Sequence, residues 1–183
     1  MDWYVLQVMT GSERDVCTAL RRTGVQARAP AQRMNIRRRG QWHEEECLLL
    51  PGYIFVGAEY TAALFHVVSP VPGVSRWLGL ERGKPQALDT RDVLRWRLDD
   101  GETLGLSRVM FFPGGWHVLD GPLAEFAGDV IRMDRRQRRA YVVTSLGGRP
   151  QRVRFGVIPV DGDAQRSGRI RGENLRGGSP AQS

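Results

Sequence analysis

The sequence is poor in the residues that build most metal sites and disulfide frameworks. Its 183 residues include only two cysteines, Cys17 and Cys47, and they lack the short spacing of a zinc site. We expect two free thiols in a reducing cytoplasm. No apolar run reaches membrane-spanning length, and no signal peptide is recognisable. The sequence therefore predicts a cytoplasmic protein that does not insert into a membrane.

Patterns that indicate catalysis are missing as well. The sequence shows no set of nucleophile, base and orienting residue, no phosphate-binding loop and no cluster of metal ligands. The run HEEEC at residues 43–47 has one histidine in a strand-like setting, so it is not a metalloprotease motif. We predict a monomer that is not an enzyme, needs no cofactor and works by binding.

Lysine is almost absent, because Lys84 is the one lysine among 27 basic residues. The formal net charge is nevertheless +7, and it is unevenly placed. Residues 1–105 carry 14 basic and 13 acidic side chains, whereas residues 106–160 carry 9 basic and 4 acidic ones, net +5. A positive field of this kind favours a polyanionic partner such as nucleic acid, and it belongs to the second part of the chain.

The first hundred residues mix strand and helix patterns. Aromatic and β-branched residues predict strands. Ser12 is predicted to cap a first helix and Thr61 a short helix over residues 62–68, and a third helix is predicted to begin at Asp89 or Thr90. In the third helix Val93, Leu94 and Leu98 are spaced to face a core. The predicted strands are residues 3–8, 25–29, a hairpin over 32–49, 53–56 and an edge strand over 74–78. The order of elements predicts an α+β fold.

The rest of the chain is predicted to be all β after a linker over residues 101–109. Asp120-Gly121-Pro122 is typical of a turn, Gly128 suggests a tight bend or a close backbone approach, and Phe126 is expected to be the apolar anchor under that bend. Predicted strands cover roughly residues 116–120, 129–134, 139–146 and 151–156. The Gly-, Arg- and Ser-rich tail over residues 161–183 has no apolar period and is expected to be disordered and basic.

Three runs are distinctive when taken together: WYVLQV at residues 3–8, LLPGYIFV at 49–56 and FPG at 112–114. In this order they resemble the NusG family. The runs WYVLQV at residues 3–8 and LLPGYIFV at 49–56 resemble the amino-terminal (NGN) domain of that family. The runs FHVV at 65–68 and VPGV at 71–74 resemble the segment that follows it. FPG at 112–114 and DGPLAEF at 120–126 resemble the opening of a KOW domain. The resemblance spans residues 3–160, in the order and spacing of the family.

The resemblance implies an NGN-type antiparallel sheet with helices on its faces over residues 1–100, and a small SH3-like KOW β-barrel over 110–160. It also implies that the NGN domain binds the clamp helices of RNA polymerase. Tyr53 and Phe55 share strand parity, so both rings are expected on one sheet face. They are the candidate polymerase contacts, although both could instead be core residues. His66 and Arg22 lie where relatives contact polymerase and the non-template DNA strand.

The arginines of the second part are the candidate RNA-binding residues. Because few acidic residues lie near them in sequence, we predict RNA binding rather than a solvated turn. They are Arg135, Arg136, Arg138, Arg139, Arg149, Arg152 and Arg154. An earlier run, residues 37–39 with Trp42, could also contact nucleic acid, but Glu44, Glu45 and Glu46 are expected to pair with it across the hairpin.

Within the family the Arg-rich second part resembles specialised paralogues of the LoaP type, which are processive antitermination factors thought to read an RNA hairpin. DGPLAEF at residues 120–126 is also close to housekeeping NusG, whose KOW domain contacts ribosomal protein S10 or the termination factor Rho. A ribosome-associated KOW protein that binds RNA is the alternative from another class. These three functions remain open at the level of sequence.

Overall fold

A computed structural model describes residues 1–81, 84–101 and 103–161 of the chain. Three α-helices lie in this part: α1 (Glu13–Arg22), α2 (Ala62–Val68) and α3 (Thr90–Arg95). The strands are β1 (Asp2–Val8), β2 (Gln26–Arg28), β3 (Ala31–Arg38), β4 (Gln41–Leu48), β5 (Tyr53–Ala58), β6 (Val74–Trp77), β7 (Leu80–Glu81), β8 (Lys84–Pro85), β9 (Ser107–Phe112), β10 (Gly115–Asp120), β11 (Val130–Asp134), β12 (Arg139–Leu146) and β13 (Arg149–Asp161). None of the described helices is long and apolar enough to cross a bilayer.

The first sheet has the strand order β2-β5-β1-β6 and is buried on both faces. Alternation along β1 sends Trp3 and Val5 to one face and Tyr4 and Leu6 to the other. Helices α1 and α2 cover the second of these faces with apolar side chains such as Val16. The first face packs on residues of the second part of the chain. The sheet is thus the middle layer between helices and the second part.

The second sheet has the strand order β10-β9-β13-β12-β11. The long strand β13 pairs antiparallel with β12 and parallel with β9. A 3-10 helix over Pro122–Asp129 crosses from β10 to β11 and buries Leu123 and Phe126 completely. Phe126 is therefore buried as the sequence predicts, but it anchors this 3-10 helix rather than a bend at Gly128. Gly121 precedes this helix at φ 93°, and a Cβ there would lie 2.6 Å from the Ser107 Cα, so the turn needs glycine.

A column of aromatic rings joins the two sheets; we call it the aromatic ladder. It consists of Phe55, Trp96, Phe126 and Phe155, with successive ring centroids 6.0, 5.0 and 4.9 Å apart. Phe55 belongs to the first sheet and Phe155 to the second, while Trp96 follows α3. All four rings are at most 2% exposed. The two parts of the chain therefore share one hydrophobic core.

Arg95 reinforces this junction with a buried charge. Its Nε lies 3.0 Å from Asp92 Oδ1, its Nη1 lies 3.4 Å from Asp129 Oδ2, and its Nη2 donates to the Thr144 hydroxyl. The guanidinium also lies 4.4 Å from the centre of the Phe126 ring. Buried arginines need such partners, because an unpaired charge would lose its hydration without compensation.

Gln32 is the second polar contact between the two parts, and it is 1% exposed. Its Nε2 donates to the Arg154 carbonyl, and its Oε1 accepts from the Gly156 amide at 3.2 Å. The contact of Gln32 with the second part is not predicted from the sequence. Its strand parity, shared with the buried Met34 rather than the exposed Arg33, is the signal that could have found it.

Two predicted details, at Leu94 and at Gly128, are wrong. Leu94 is 67% exposed and does not face the core. Helix α3 ends at Arg95, and the residues that follow it, Trp96 and Leu98, are buried instead. Gly128 has space around its Cβ position and no positive φ, so neither a bend nor a close approach requires it. Within the proposed linker, Leu104 is 1% exposed, and its backbone N–H and C=O bond to Ala31 and Arg33.

The entry into α1 also differs from the prediction. Ser12 takes the capping position but its side chain makes no capping hydrogen bond. The carboxylate of Glu13, 2% exposed, instead accepts from the Gly11 amide at 2.8 Å and from the Gly52 amide at 2.6 Å. A buried carboxylate satisfied by two amides ties the helix start to the turn before β5.

Cys17 offers a direct check of the first core. It is 2% exposed on α1, and burial raises the pKa of its thiol to about 11. Because the thiolate is the nucleophile, we expect iodoacetamide at pH 8 to modify native Cys17 at least about tenfold more slowly than unfolded Cys17. Peptide mass spectrometry over a time course measures both rates. Equal rates in native and denaturing buffer would contradict this packing.

Candidate nucleic-acid interface

The turn between β11 and β12 carries the densest group of arginines in the described residues. The Asp134 carboxylate stabilises the turn by accepting from the Gln137 amide at 2.9 Å. Arg138 adopts a positive φ of 54°, as a tight turn requires. The Arg138 amide also donates to the Arg135 carbonyl at 3.3 Å. These bonds fix the positions from which the arginine side chains project.

Two acidic residues near the turn, Asp134 and Asp161, form ion pairs with Arg132 and Arg135. Asp161 forms an ion pair with Arg135, and Asp134 lies 3.0 Å from Arg132. Among the described residues, no carboxylate forms an ion pair with Arg136, Arg138 or Arg139. Three neighbouring guanidinium groups are therefore left without counter-charges, an arrangement that favours an anionic partner.

Arg139 lies where its surroundings disfavour a positive charge. Burial, and next the positive charge of Arg154, lower the pKa of its guanidinium below the ordinary value. Both causes act against the charged form, and the negative charge of a bound phosphate group would offset them. Nη1 of Arg139 donates a hydrogen bond to the Arg138 carbonyl at 3.0 Å.

The other three predicted RNA-binding arginines lie on β13. Arg152 and Arg154 are exposed and alternate with Val153 and Phe155, which are buried in the core. The alternation places both arginines on the outer face of the second sheet. Arg149 starts the same strand opposite Leu146, far along β12 from the turn. The structure thus brings Arg154 close to the turn and leaves Arg149 at the other end.

The β3–β4 hairpin reaches the same surface from the first part of the chain. The Arg138 guanidinium lies 4.3 Å from the centre of the Trp42 ring, and that of Arg37 lies 5.9 Å from it. The contact between this hairpin and the β11–β12 turn is not among the features predicted from the sequence. No local signal predicts it, because the residues are about a hundred positions apart.

The expected charge pairing within that hairpin holds only in part. Arg38 pairs with Glu45 at 2.8 Å, but Glu44 pairs with Arg33 and Glu46 with Arg14. The register explains this outcome, because it sets Arg37 opposite Trp42 and Arg38 opposite Gln41. Arg39 lies in the turn, and neither it nor Arg37 has an ion pair in the described part of the chain.

The candidate polymerase contacts lie on the first sheet and its helices. Tyr53 and Phe55 do share one face, the face that packs on the second part. Phe55 is fully buried, and half-buried Tyr53 accepts at its hydroxyl from Gln151 Nε2 at 3.3 Å. His66 on α2 and Arg22 at the end of α1 are exposed. Apart from Phe55, each candidate contact has an accessible surface in this conformation.

Metal chemistry has no visible site, since no group of three or more potential ligands occurs among the residues that the structure describes. The site described above is therefore a surface of arginines and one indole ring. Its chemistry is that of binding phosphate groups and stacking on flat rings.

Comparisons with known proteins give a consistent result. Residues 1–97 match the protein family described as "NusG: Transcription termination factor nusG". The "Transcription termination/antitermination protein NusG" of Xylella fastidiosa (strain Temecula1) is 31% identical, over 82% of this chain and 93% of the relative. The protein of the same name from Escherichia coli (strain K12) is 29% identical, over 87% and 94%.

A solved structure shares the fold. "Domain interaction in Thermotoga maritima NusG" aligns with a TM-score of 0.51 and 22% identity, over 85% of this chain and 93% of that one. This likeness supports the mixed fold of sheets and few helices that the sequence predicts.

Proposed function

This chain belongs to the NusG family of transcription factors, and from that premise we propose that it is a processive antitermination or elongation factor with two binding surfaces. Residues 1–100 would form the NGN domain that binds RNA polymerase. Residues 110–160 would form a KOW domain that binds an RNA element, joined to the first by residues 101–109. NusG-family proteins are not enzymes, and neither is this one.

The observation that carries the RNA-binding half of the proposal is the set of unpaired guanidinium groups at the β11–β12 turn. Arg136, Arg138 and Arg139 stand together without carboxylate partners among the described residues. A group of positive charges without counter-charges favours binding of a polyanion. Arginine suits RNA because its planar fork can pair with two phosphate oxygens or stack on an unpaired base. This supports a LoaP-like role in reading a transcript hairpin.

Polymerase binding is proposed for the accessible part of Tyr53 and for the exposed His66, with Arg22 directed at the non-template strand. Phe55 cannot contact polymerase in this conformation, because its ring is completely buried in the aromatic ladder. It could contact polymerase only if the second part moved away from the first sheet. Tyr53 is therefore the better test of this surface.

We expect Tyr53→Ala to weaken binding of the full chain to RNA polymerase by about tenfold, since aromatic side chains at interface centres dominate affinity. Tyr53→Phe should retain most of the binding, because the ring provides the contact. Surface plasmon resonance with purified polymerase measures both. Circular dichroism must show that each variant is folded.

Gln151→Ala serves as the control for this experiment, since it removes the Tyr53 hydroxyl contact while leaving the tyrosine ring. It should bind polymerase at least as well as the unaltered chain. Wild-type affinity in Tyr53→Ala would exclude Tyr53 from the interface and weaken the proposed use of this surface.

A housekeeping role is the second candidate, because the relatives reported above carry the general name NusG. In that role the second part would couple polymerase to ribosomal protein S10 or Rho. Stimulation of Rho-dependent termination in a purified transcription system, without dependence on a leader RNA, would favour it. The ribosome-associated alternative is disfavoured, because it assigns no role to residues 1–97.

A further inference from the structure

We propose that the nucleic-acid surface is composite, and that Trp42 and Arg37 of the β3–β4 hairpin bind an unpaired RNA base and its phosphate together with the β11–β12 turn. This inference rests on the proposed RNA binding of the second part and deepens it. We call the five residues involved the tip cluster. They are Arg37, Trp42, Arg136, Arg138 and Arg139.

Shape is the first observation. Two adjoining grooves of about 450 and 480 Å³ lie between the hairpin and the turn. Arg37, Trp42 and Arg136 line both of them, so Trp42 stands where the grooves meet. One groove is completed by Gln137 and Arg139, and the other by residues that include Arg138. Both parts of the chain are needed to form either groove.

Charge is the second observation. The acidic residues of the hairpin are occupied elsewhere, since Glu45 pairs with Arg38 at 2.8 Å and Glu44 with Arg33 at 2.9 Å. Arg37 instead donates from Nε to the Gly40 carbonyl at 3.3 Å and has no ion pair in the described part of the chain. Four arginines of the tip cluster thus surround the grooves without a counter-charge.

Stacking is the third observation. The Arg138 guanidinium is 4.3 Å from the centre of the half-buried Trp42 ring. A flat cation beside an indole is the arrangement on which unpaired bases stack, whereas a base paired within a duplex offers no free face. The cluster therefore selects RNA with an unpaired nucleotide beside its phosphates, as in the loop of a hairpin.

The hairpin and the turn are held rigidly enough to act together. Gln32, on the same hairpin, bonds to the backbone of β13 at Arg154 and Gly156. Strand β13 in turn pairs with β12, and its Val157 amide donates to the Arg138 carbonyl at 3.1 Å. The turn and the hairpin are thus both bonded to one strand, which fixes the width of the grooves.

The test uses the full chain and three labelled probes: a stem-loop RNA with a hexauridine loop, the blunt duplex of its stem, and the DNA form of the stem-loop. We expect Trp42→Ala to weaken binding of the stem-loop RNA about tenfold and that of the duplex less than about twofold. The salt dependence should stay unchanged, because tryptophan carries no charge. Trp42→Phe should restore most of the affinity, which excludes unfolding as the cause.

Arg37 and Arg38 form a matched pair of variants, adjacent in sequence and equal in charge. Arg37→Ala should weaken stem-loop binding and reduce the log–log salt slope by about 0.7–0.9. Arg38→Ala should change the affinity less than about twofold, because Glu45 already pairs with that side chain. Equal effects of the two variants would overturn the assignment of Arg37.

The outcomes separate this inference from the proposed function. If Trp42→Ala binds the stem-loop as the unaltered chain does, while loss of Arg136, Arg138 and Arg139 abolishes binding, the composite surface is wrong and RNA binding stands. If neither change affects binding, RNA binding itself is wrong. Tighter binding of the DNA stem-loop, with the same dependence on Trp42, would overturn the assignment to RNA and point to the displaced DNA strand.

Discussion

Replacing Phe126 with alanine is expected to lower the free energy of unfolding by about 3–5 kcal/mol, the usual cost of removing a buried phenyl ring. Phe126 is fully buried and contacts Trp96, Phe155 and the Arg95 guanidinium, with centroid distances of 4.4 to 5.0 Å. Its removal leaves a cavity in the middle of the aromatic ladder. Chemical denaturation followed by tryptophan fluorescence measures the change.

Phe112→Ala is the matched control, because this phenylalanine of the second sheet is 47% exposed. It should cost about 1 kcal/mol or less. The unaltered chain should unfold in one transition, since the ladder belongs to both parts. A cost for Phe126→Ala no larger than that of the control would show that the ladder contributes little to the junction.

Replacing Arg136, Arg138 and Arg139 together with alanine is expected to weaken RNA binding at least about a hundredfold at low salt, because the loss of even two charge-assisted hydrogen bonds, at about 1.5–3 kcal/mol each, has an effect of that size. The log–log salt slope should fall by about 0.7–0.9 for each phosphate group that the variant no longer binds. Arg135 is left in place, since Asp161 already pairs with it. Fluorescence anisotropy with the stem-loop RNA, titrated over a range of salt concentrations, measures both quantities.

A variant with the same reduction of charge elsewhere distinguishes a local site from a general field. Arg14, Arg76 and Arg91 are exposed, lie in the first part and take no role in the proposed site. Their joint replacement by alanine should change RNA affinity only a few-fold. If both triple variants lose affinity equally, net charge rather than the β11–β12 turn is responsible.

The parts of the fold that local chemistry determines could be predicted closely. Helix α2 runs from Ala62 to Val68, with the Thr61 hydroxyl accepting from the Leu64 amide, as the capping pattern indicates. The shared face of Tyr53 and Phe55 follows from the period of a strand. The burial of Phe126 is predicted from its place between the Gly121-Pro122 turn and the strand after Gly128. In each case the signal lies within a few residues of the feature.

Features that depend on distant packing could not be predicted. Burial of Phe55 is caused by Trp96 and the second part, which its own strand does not reveal. Arg95 is missed for the same reason, because its partner Thr144 lies 49 positions away. The contact of Trp42 with Arg138 requires the relative placement of two hairpins. Tertiary context decides these features, and a single sequence records it only weakly.

Strand β13 also has a consequence for the order in which the molecule can assemble during synthesis. It pairs with β12, and its last residues complete the parallel ladder with β9. The backbone of β13 also bonds to the side-chain amide of Gln32. That amide therefore lacks its partners until β13 has left the ribosome. The first sheet can form early, whereas the shared core and the grooves beside Trp42 close only when the chain has been made through Asp161. The nascent protein would therefore complete the proposed RNA-binding surface last.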